Sequence, residues 1–438
     1  MAIAVWAGAA TVSAAWAAGP EMPGAVARTG EPPPGPVREP YWGTVLFEVY
    51  QDNTFSALTG LMAWQHFQRL PQHAEEAEVL RGGLLLDYGL DAEAGRIFTS
   101  VINRQTTART RDRAWFYLAR LQFRKGLMAE AQTSITQSGP ALPAELQDER
   151  LLLRAQLQLA QADHLGAAQT LQSMPAGSPL RPYAQFNLGV ALLQAGQAAA
   201  GRQALQALGQ LPAEGEELRS LRDRANLALG FDALREGDAK SAHGALERVR
   251  LAGPQSNAAL LGFGWAALQR ADTRLALAAF RELAQRPAQD AAVLESQLAQ
   301  AHVTAQAGAP AAALSLYQAA LKAYQAEHTA LDAAIARTRG GDWLDALGGG
   351  QTPGRMGAAA KLNIQPQTPY AAYLTPMLAE HAVQQALRNW GDLRFAAARL
   401  SEWAQQLTVH EEMLAERAST FASRLPNVLA GADRKSVV

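Results

Sequence analysis

One spacing recurs along this chain, and it constrains the fold more than any composition figure does. A Gly is followed five residues on by an Ala, and four further by a large apolar side chain: Gly89, Ala94 and Phe98; Gly126, Ala131 and Ile135; Gly237, Ala242 and Leu246. Fixed-period self-similarity marks stacked units that cannot each bury an apolar face alone. In longer register the stretch from Asp223 gives Leu229, Gly230, Ala233, Gly237, Ala242, Leu246, Val249 and Pro254. The stretch from Asn257, 34 residues later, gives Phe263, Gly264, Ala267, Ala271, Ala276, Phe280 and Leu283, with Pro287 behind.

Local physics says what each member of the frame is for. Gly230 and Ala242 are expected where two helices cross, since a larger side chain would hold the backbones apart. Leu246 and Phe280 are expected to fill the wedge between one pair and the next. Gly126, Gly196 and Gly237 suit the left-handed conformation that ends a first helix before a short turn, and Pro212 and Pro254 would stop the second. Composition agrees with helix throughout: 48% of residues are hydrophobic but only 7% aromatic, and Ala and Leu, both strong helix formers, dominate the apolar share. Period-two runs of Val, Ile and Thr are almost absent.

The frame resembles the tetratricopeptide repeat. Eight units start near Glu39, Glu75, Asp112, Asp148, Pro182, Asp223, Asn257 and Leu294, at gaps of 34 to 41 residues, with the longest gap placed in a turn around "PAEGEELRS". The first unit (Leu46, Met62) and the fourth (Ala155, Leu171) are degenerate. The resemblance covers residues 39–324 and implies an all-α fold, a right-handed solenoid of antiparallel helix hairpins.

The flanks differ. Residues 1–18, within the run "AIAVWAGAATVSAAWAAGP", read as a signal peptide without its basic n-region, with an N-terminal membrane anchor as the alternative. Residues 19–40 are a Pro- and Gly-rich flexible leader. Residues 325–368 are expected to hold a capping helix with a polar outer face, "EHTALDAAIARTR", and a Gly-rich loop on which Trp343 and Leu344 would dock. In the C-terminal helical segment, 369–426, Leu393, Leu400, Leu407, Leu414 and Phe421 stand seven apart. With Ala396, Trp403, His410 and Arg417 as its second line, that seam is expected to lie on the superhelix as a hairpin bent near Trp390 and Gly391, or as one long helix. A free-standing dimeric coiled coil is the less favoured alternative. "GADRKSVV" is expected to be a frayed end. No later stretch is long and apolar enough to span a membrane, so a membrane-spanning mature protein is not expected.

Much chemistry is excluded. Thirty-nine basic against forty acidic side chains leave a net charge of −1, which argues against nucleic acid as a partner. With no Cys there are no disulfides and no thiolate chemistry. The eight His are scattered, "HEEM" at His410 lacks the second His of a zinc-protease motif, and no metal or other cofactor is expected. "GFGWAA" at Gly262 mimics a dinucleotide fingerprint without the preceding strand. Carboxylate pairs such as Glu216 and Glu217 have the look of solvated helix faces. No catalytic residue, and so no enzyme, is expected.

The resemblance also implies where a partner would sit. In that family the first helix of each pair lines a concave groove, its second, fifth, ninth and twelfth positions pointing inward. Here those positions give Arg113, Phe116, Arg120 and Phe123; Tyr183, Phe186 and Val190; Arg224, Leu227, Phe231 and Leu234; Leu261 and Trp265; and His302. Arg and aromatic side chains suit a peptide or helix carrying apolar anchors and some acidic groups. Two placements stay open for each aromatic, the groove wall or the packing between helices. The Lys and Asn carboxylate clamp of chaperone-binding members does not appear; Asn187 is an isolated match. The basic run Arg104, Arg109, Arg111 and Arg113 reads as a solvated edge at a turn. The expectation is a periplasmic, non-catalytic scaffold of the bacterial envelope that binds a protein or peptide within an assembly or secretion machine. The alternative is an accessory of polysaccharide export.

Overall fold

The structure, a computed structural model, describes residues 37–51, 53–87, 89–212, 214–340, 373–374 and 381–435. The expected signal run, most of the leader and the Gly-rich loop with Trp343 and Leu344 lie outside the described residues.

Sixteen α-helices form eight successive hairpins. They are α1 (Pro40–Tyr50) with α2 (Thr54–His66), α3 (Ala74–Asp87) with α4 (Asp91–Asn103), α5 (Ala108–Arg124) with α6 (Met128–Gln137), and α7 (Ala144–Ala160) with α8 (His164–Gln172). Then come α9 (Arg181–Gln194) with α10 (Ala198–Gly209), α11 (Glu216–Arg235) with α12 (Ala239–Leu246), α13 (Ser256–Gln269) with α14 (Thr273–Ala284), and α15 (Ala291–Gln306) with α16 (Pro310–Gly340). A further long helix, α17, spans His381–Lys435. Two compact units divide the chain, one holding residues 1–341 and 367–377, the other residues 342–366 and 378–438.

The recurring glycine is the seat of its own hairpin's large residue. A methyl group on Gly82 would stand 2.5 Å from Phe98 Cε1, and one on Gly189 2.5 Å from Leu205 Cγ. Gly230 stands in the same way under Leu246, and Gly264 under Phe280. In all four pairs the partners are 16 residues apart in the sequence. The sequence expectation put these large residues in the wedge between pairs; the structure seats them first on their own glycine. Leu246 then also reaches the next hairpin, where a methyl on Gly262 would meet its Cδ1 at 3.1 Å. The first unit has Leu46 where the others have Gly or Ala, and Met62 is displaced outward to 48% exposure.

The turn between paired helices is equally regular. The second residue after the first helix is left-handed in units two to eight: Gly89, Gly126, Gly196, Gly237 and Gly308, but also Ala162 (φ 59°) and Ala271 (φ 60°). Only Gly takes that conformation without steric cost. In three of these turns an Asp follows and caps the second helix, Asp163 to Gly166 N at 2.9 Å, Asp238 to Ser241 N at 3.0 Å, and Asp272 to Leu275 N at 2.9 Å. Each such cap satisfies a helix N–H that would otherwise lack a partner.

The first residue of a unit ties its first helix to the connection that leads into the next hairpin. Glu39 Oε1 accepts from Gln72 N (2.9 Å), Glu75 Oε2 from Thr107 N (3.0 Å) and Asp112 Oδ2 from Ala141 N (2.9 Å). Asp223, wholly buried, pairs with Arg250 Nε at 2.7 Å. The apolar interior is accordingly a string of local clusters, each shared by neighbouring units, as a one-dimensional array requires.

Several expectations about segments change. The stretch placed in a lengthened turn, Glu216–Ser220, is the first part of the 20-residue α11. α12 closes at Leu246, well ahead of Pro254. The capping helix is not separate: α16 runs unbroken over 31 residues. Its outer face is not polar either, since Leu314, Leu321, Leu331 and Ile335 are exposed. α17 is one helix, continuous through Trp390 and Gly391 and on to Lys435 past Pro426, and its Leu393–Phe421 seam is exposed.

Candidate functional site

The helices differ in what they touch. First helices of neighbouring units meet directly, α3 with α5, α5 with α7, α9 with α11, α11 with α13 and α13 with α15, whereas neighbouring second helices share no comparable contact. Helices that approach more closely form the inner layer of a curved stack, so the first helices line the inner wall.

Along that wall, groups from adjacent units meet by a repeating rule. The ninth position of one unit lies against the second position of the next: Arg120 stands 3.9 Å from Glu149, and Trp265 Nε1 donates to Glu295 Oε1 at 3.2 Å. Arg120 also lies over the rings of Phe116 (5.9 Å) and Tyr117 (5.8 Å). Burial pushes the Glu149 carboxyl above its ordinary range while Arg120 pulls it back. Burial raises Glu295 too, against the opposing Trp265 hydrogen bond. The column rule, applied to the second positions of units four and eight, reaches both carboxylates; reading the column only for aromatics and Arg passes over them.

Between units five and six the wall is cationic. The Arg224 guanidinium lies 5.3 Å over the Phe186 ring, and burial alone lowers its pKa. No carboxylate among the described residues pairs with it. Next to Phe186 in sequence, Asn187 is 1% exposed with both side-chain polar atoms buried and unpartnered among the described residues. A buried amide without partners is costly and calls for an explanation. Tyr183 bonds Glu217, and burial with that contact pushes the phenol well above its ordinary range.

The ten sequence-derived residues divide. Phe116 is wholly enclosed, Phe186 (5% exposed) and Arg113 (7%) nearly so, so these three build the wall more than they present a surface. Burial of Arg113 also removes it from the basic run read as a solvated edge. Arg120, Phe123, Tyr183, Arg224, Phe231, Trp265 and His302 are half-buried, each keeping some surface toward solvent. No group of three or more His, Asp or Glu that could hold a metal occurs among the described residues. Nor is any helix among them long and apolar enough to cross a membrane.

No protein-family model matches the chain, and no curated protein matches it. Solved structures do. A tetratricopeptide repeat protein from Parabacteroides merdae is similar over 55% of this chain and 90% of its own, at 15% identity and a TM-score of 0.38. The C-terminal part of a TPR repeat-containing protein from Cytophaga hutchinsonii is similar over 58% of this chain and 98% of its own, at 13% identity and a TM-score of 0.44. The apo form of RapI is similar over 84% of this chain and 97% of its own, at 9% identity and a TM-score of 0.47.

Proposed function

We propose that this solenoid is a non-catalytic scaffold that holds a protein or peptide partner along its inner wall, within an assembly of the bacterial cell envelope. The observation that carries this reading is the Arg224 guanidinium, which lies over Phe186 without a carboxylate of its own. A half-buried cation on an aromatic face is the kind of group that dominates binding interfaces. The guanidinium and the ring beneath it fit a segment offering a carboxylate next to an apolar anchor. The exported setting rests on the apolar run of residues 2–19 and on a chain without Cys, which oxidation cannot cross-link.

The test is a peptide-display selection on the full chain, followed by fluorescence polarisation of the enriched peptides. Acidic peptides with an apolar anchor should emerge, and Arg224→Glu should weaken them at least about 10-fold with helicity intact. Equal binding to Arg224→Glu, or enrichment only by polysaccharide, overturns the proposal.

A further inference from the structure

Among the described residues, the most exposed run of large apolar side chains is not on the inner wall but on α17. Leu393, Leu400, Leu407, Leu414, Phe421 and Val428 follow one another at seven-residue intervals, and all six are between 55% and 70% exposed. A straight helix of 3.6 residues per turn drifts by about 20° per heptad relative to such a repeat. Six members in strict sevens therefore describe a stripe that winds around another helix, not one that lies on a fixed surface. Three residues after each member stand Ala396, Trp403, His410 and Arg417, bulky or polar from Trp403 on; four residues after stand Ala397, Ala404, Glu411, Ala418 and Leu425, which are smaller or apolar apart from Glu411 and complete the stripe as its second line. The members of this second line too are exposed.

We propose that α17 pairs antiparallel with α17 of a second copy of this chain. The two lines of the stripe decide both the partner and the direction. In a parallel pair each residue meets its own copy, so layers of two large side chains would alternate with layers of two alanines, and Glu411 would face Glu411. In an antiparallel pair the first line meets the second. With the two-fold axis between Leu407 and Glu411, Leu414 meets Ala404, Phe421 meets Ala397, Leu400 meets Ala418 and Leu393 meets Leu425. Three of these four layers join one large and one small side chain, which keeps the two backbones at constant distance. The two Glu411 carboxylates each face a Leu407 instead of one another. On one flank Arg417 comes opposite Trp403, a cation facing an aromatic ring.

Such a match of a stripe to its own reverse is what a two-fold interface needs, since residue i must meet j and j must meet i. The length is sufficient as well. From Leu393 to Val428 the stripe runs for about 54 Å, and a strip of that length and about 10 Å width approaches the ~800 Å² per partner of a stable interface once side-chain relief is counted. None of this depends on the inner-wall reading.

The full chain serves for the test. Sedimentation equilibrium at micromolar concentration should give twice the 46.8 kDa chain mass. Leu407→Glu with Leu414→Glu should weaken the dimer at least about 100-fold while leaving the thermal transition of the hairpin array in place. The direction is read by engineered cysteines, since the chain has none of its own. Leu393→Cys alone should not cross-link, its copy lying about 48 Å away. Mixed with Leu425→Cys, it should give a covalent dimer under mild oxidation. A monomer at these concentrations overturns the pairing. A dimer that survives the double Glu variant overturns the assignment to α17. Self-cross-linking of Leu393→Cys overturns the antiparallel direction.

Discussion

Substituting Gly82 by Ala tests the packing rule of the whole array. The added methyl would stand 2.5, 2.9 and 3.1 Å from Phe98 Cε1, Cζ and Cδ1. Carbon atoms rest at about 3.5–4.0 Å, so the ring must retreat by roughly 1 Å. It has nowhere to go: Phe98 is 0% exposed and stacks at 5.6 Å on Tyr117 of the next unit. Overpacking of this kind costs about 1–3 kcal/mol, and three close contacts on an enclosed ring argue for the upper end. Ala recovers about 1 kcal/mol of helix propensity over Gly. The expected net loss is about 2 kcal/mol, a fall in melting temperature of roughly 4–8 °C by circular dichroism. Gly244, within α12, supplies the control, because a methyl there meets nothing within 4 Å. Gly244→Ala should stabilise by about 1 kcal/mol. In a double-mutant cycle Phe98→Leu should recover part of the Gly82→Ala loss, with a coupling of about 1 kcal/mol or more. If Gly82→Ala is stabilising like Gly244→Ala, or additive with Phe98→Leu, the seating of a large residue on its own hairpin's glycine is wrong.

Two other perturbations follow from the same geometry. Ala162 and Ala271 hold left-handed backbone that costs a residue with a Cβ about 1–2 kcal/mol. Replacing either by Gly returns that cost less about 0.4–1 kcal/mol of added unfolded-state freedom, so each should raise stability by roughly 0.5–1 kcal/mol in a denaturant titration; a loss would refute the strain. Burial keeps Glu295 protonated to higher pH in the folded chain than in the unfolded one. The folded state then binds the extra proton, and stability should fall as pH rises from the ordinary value of 4.5 through the raised one. Glu295→Gln should flatten that part of the profile of urea midpoints, followed by tryptophan fluorescence, and an unchanged slope would count against the burial of this carboxyl.

What was legible in the sequence was whatever one backbone position decides by itself. A Cβ either fits beneath Leu246 or does not, and a turn residue either tolerates positive φ or strains, so Gly230, Gly126 and Gly237 announced the hairpins. The frame even placed Ala162 and Ala271 at the turn position without their strain being visible. Contacts between units were harder, because they join residues about 30 apart whose types vary. The Arg120–Glu149 and Trp265–Glu295 pairs share one column rule and a Glu, yet the group facing the carboxylate is a guanidinium in one and an indole N–H in the other. Burial of Phe116 and Phe186 was undecidable for a related reason: an aromatic on an inner helix serves wall and interior alike until its neighbours are fixed. For α17 the period was plain, but periodicity tells which face is apolar and not what covers it.

Inside the array every hairpin is sealed by the next, and the ends are where this logic stops. The first unit leaves Phe47, Tyr50 and Phe55 exposed, and the last leaves Leu298, Leu314 and Leu321 exposed, since no further hairpin among the described residues stacks on either. Open-ended arrays ordinarily finish in polar caps. Here the terminal helix instead lengthens, and α16 carries apolar residues outward at three- and four-residue spacing from Leu314 through Tyr317, Leu321 and Tyr324, and again, two turns on, at Leu331 and Ile335. Tyr373 donates to Glu327 on the same helix, so at least one later residue already returns to it. A chain that spends glycines to pack its interior so closely, yet leaves apolar stripes open on α16 and α17, has its unsatisfied surface concentrated in long helices that a second helix can match. Assembly through helix pairing is therefore the physical counterpart of the hairpin stacking within: the same burial of apolar faces, carried beyond the limits of one array.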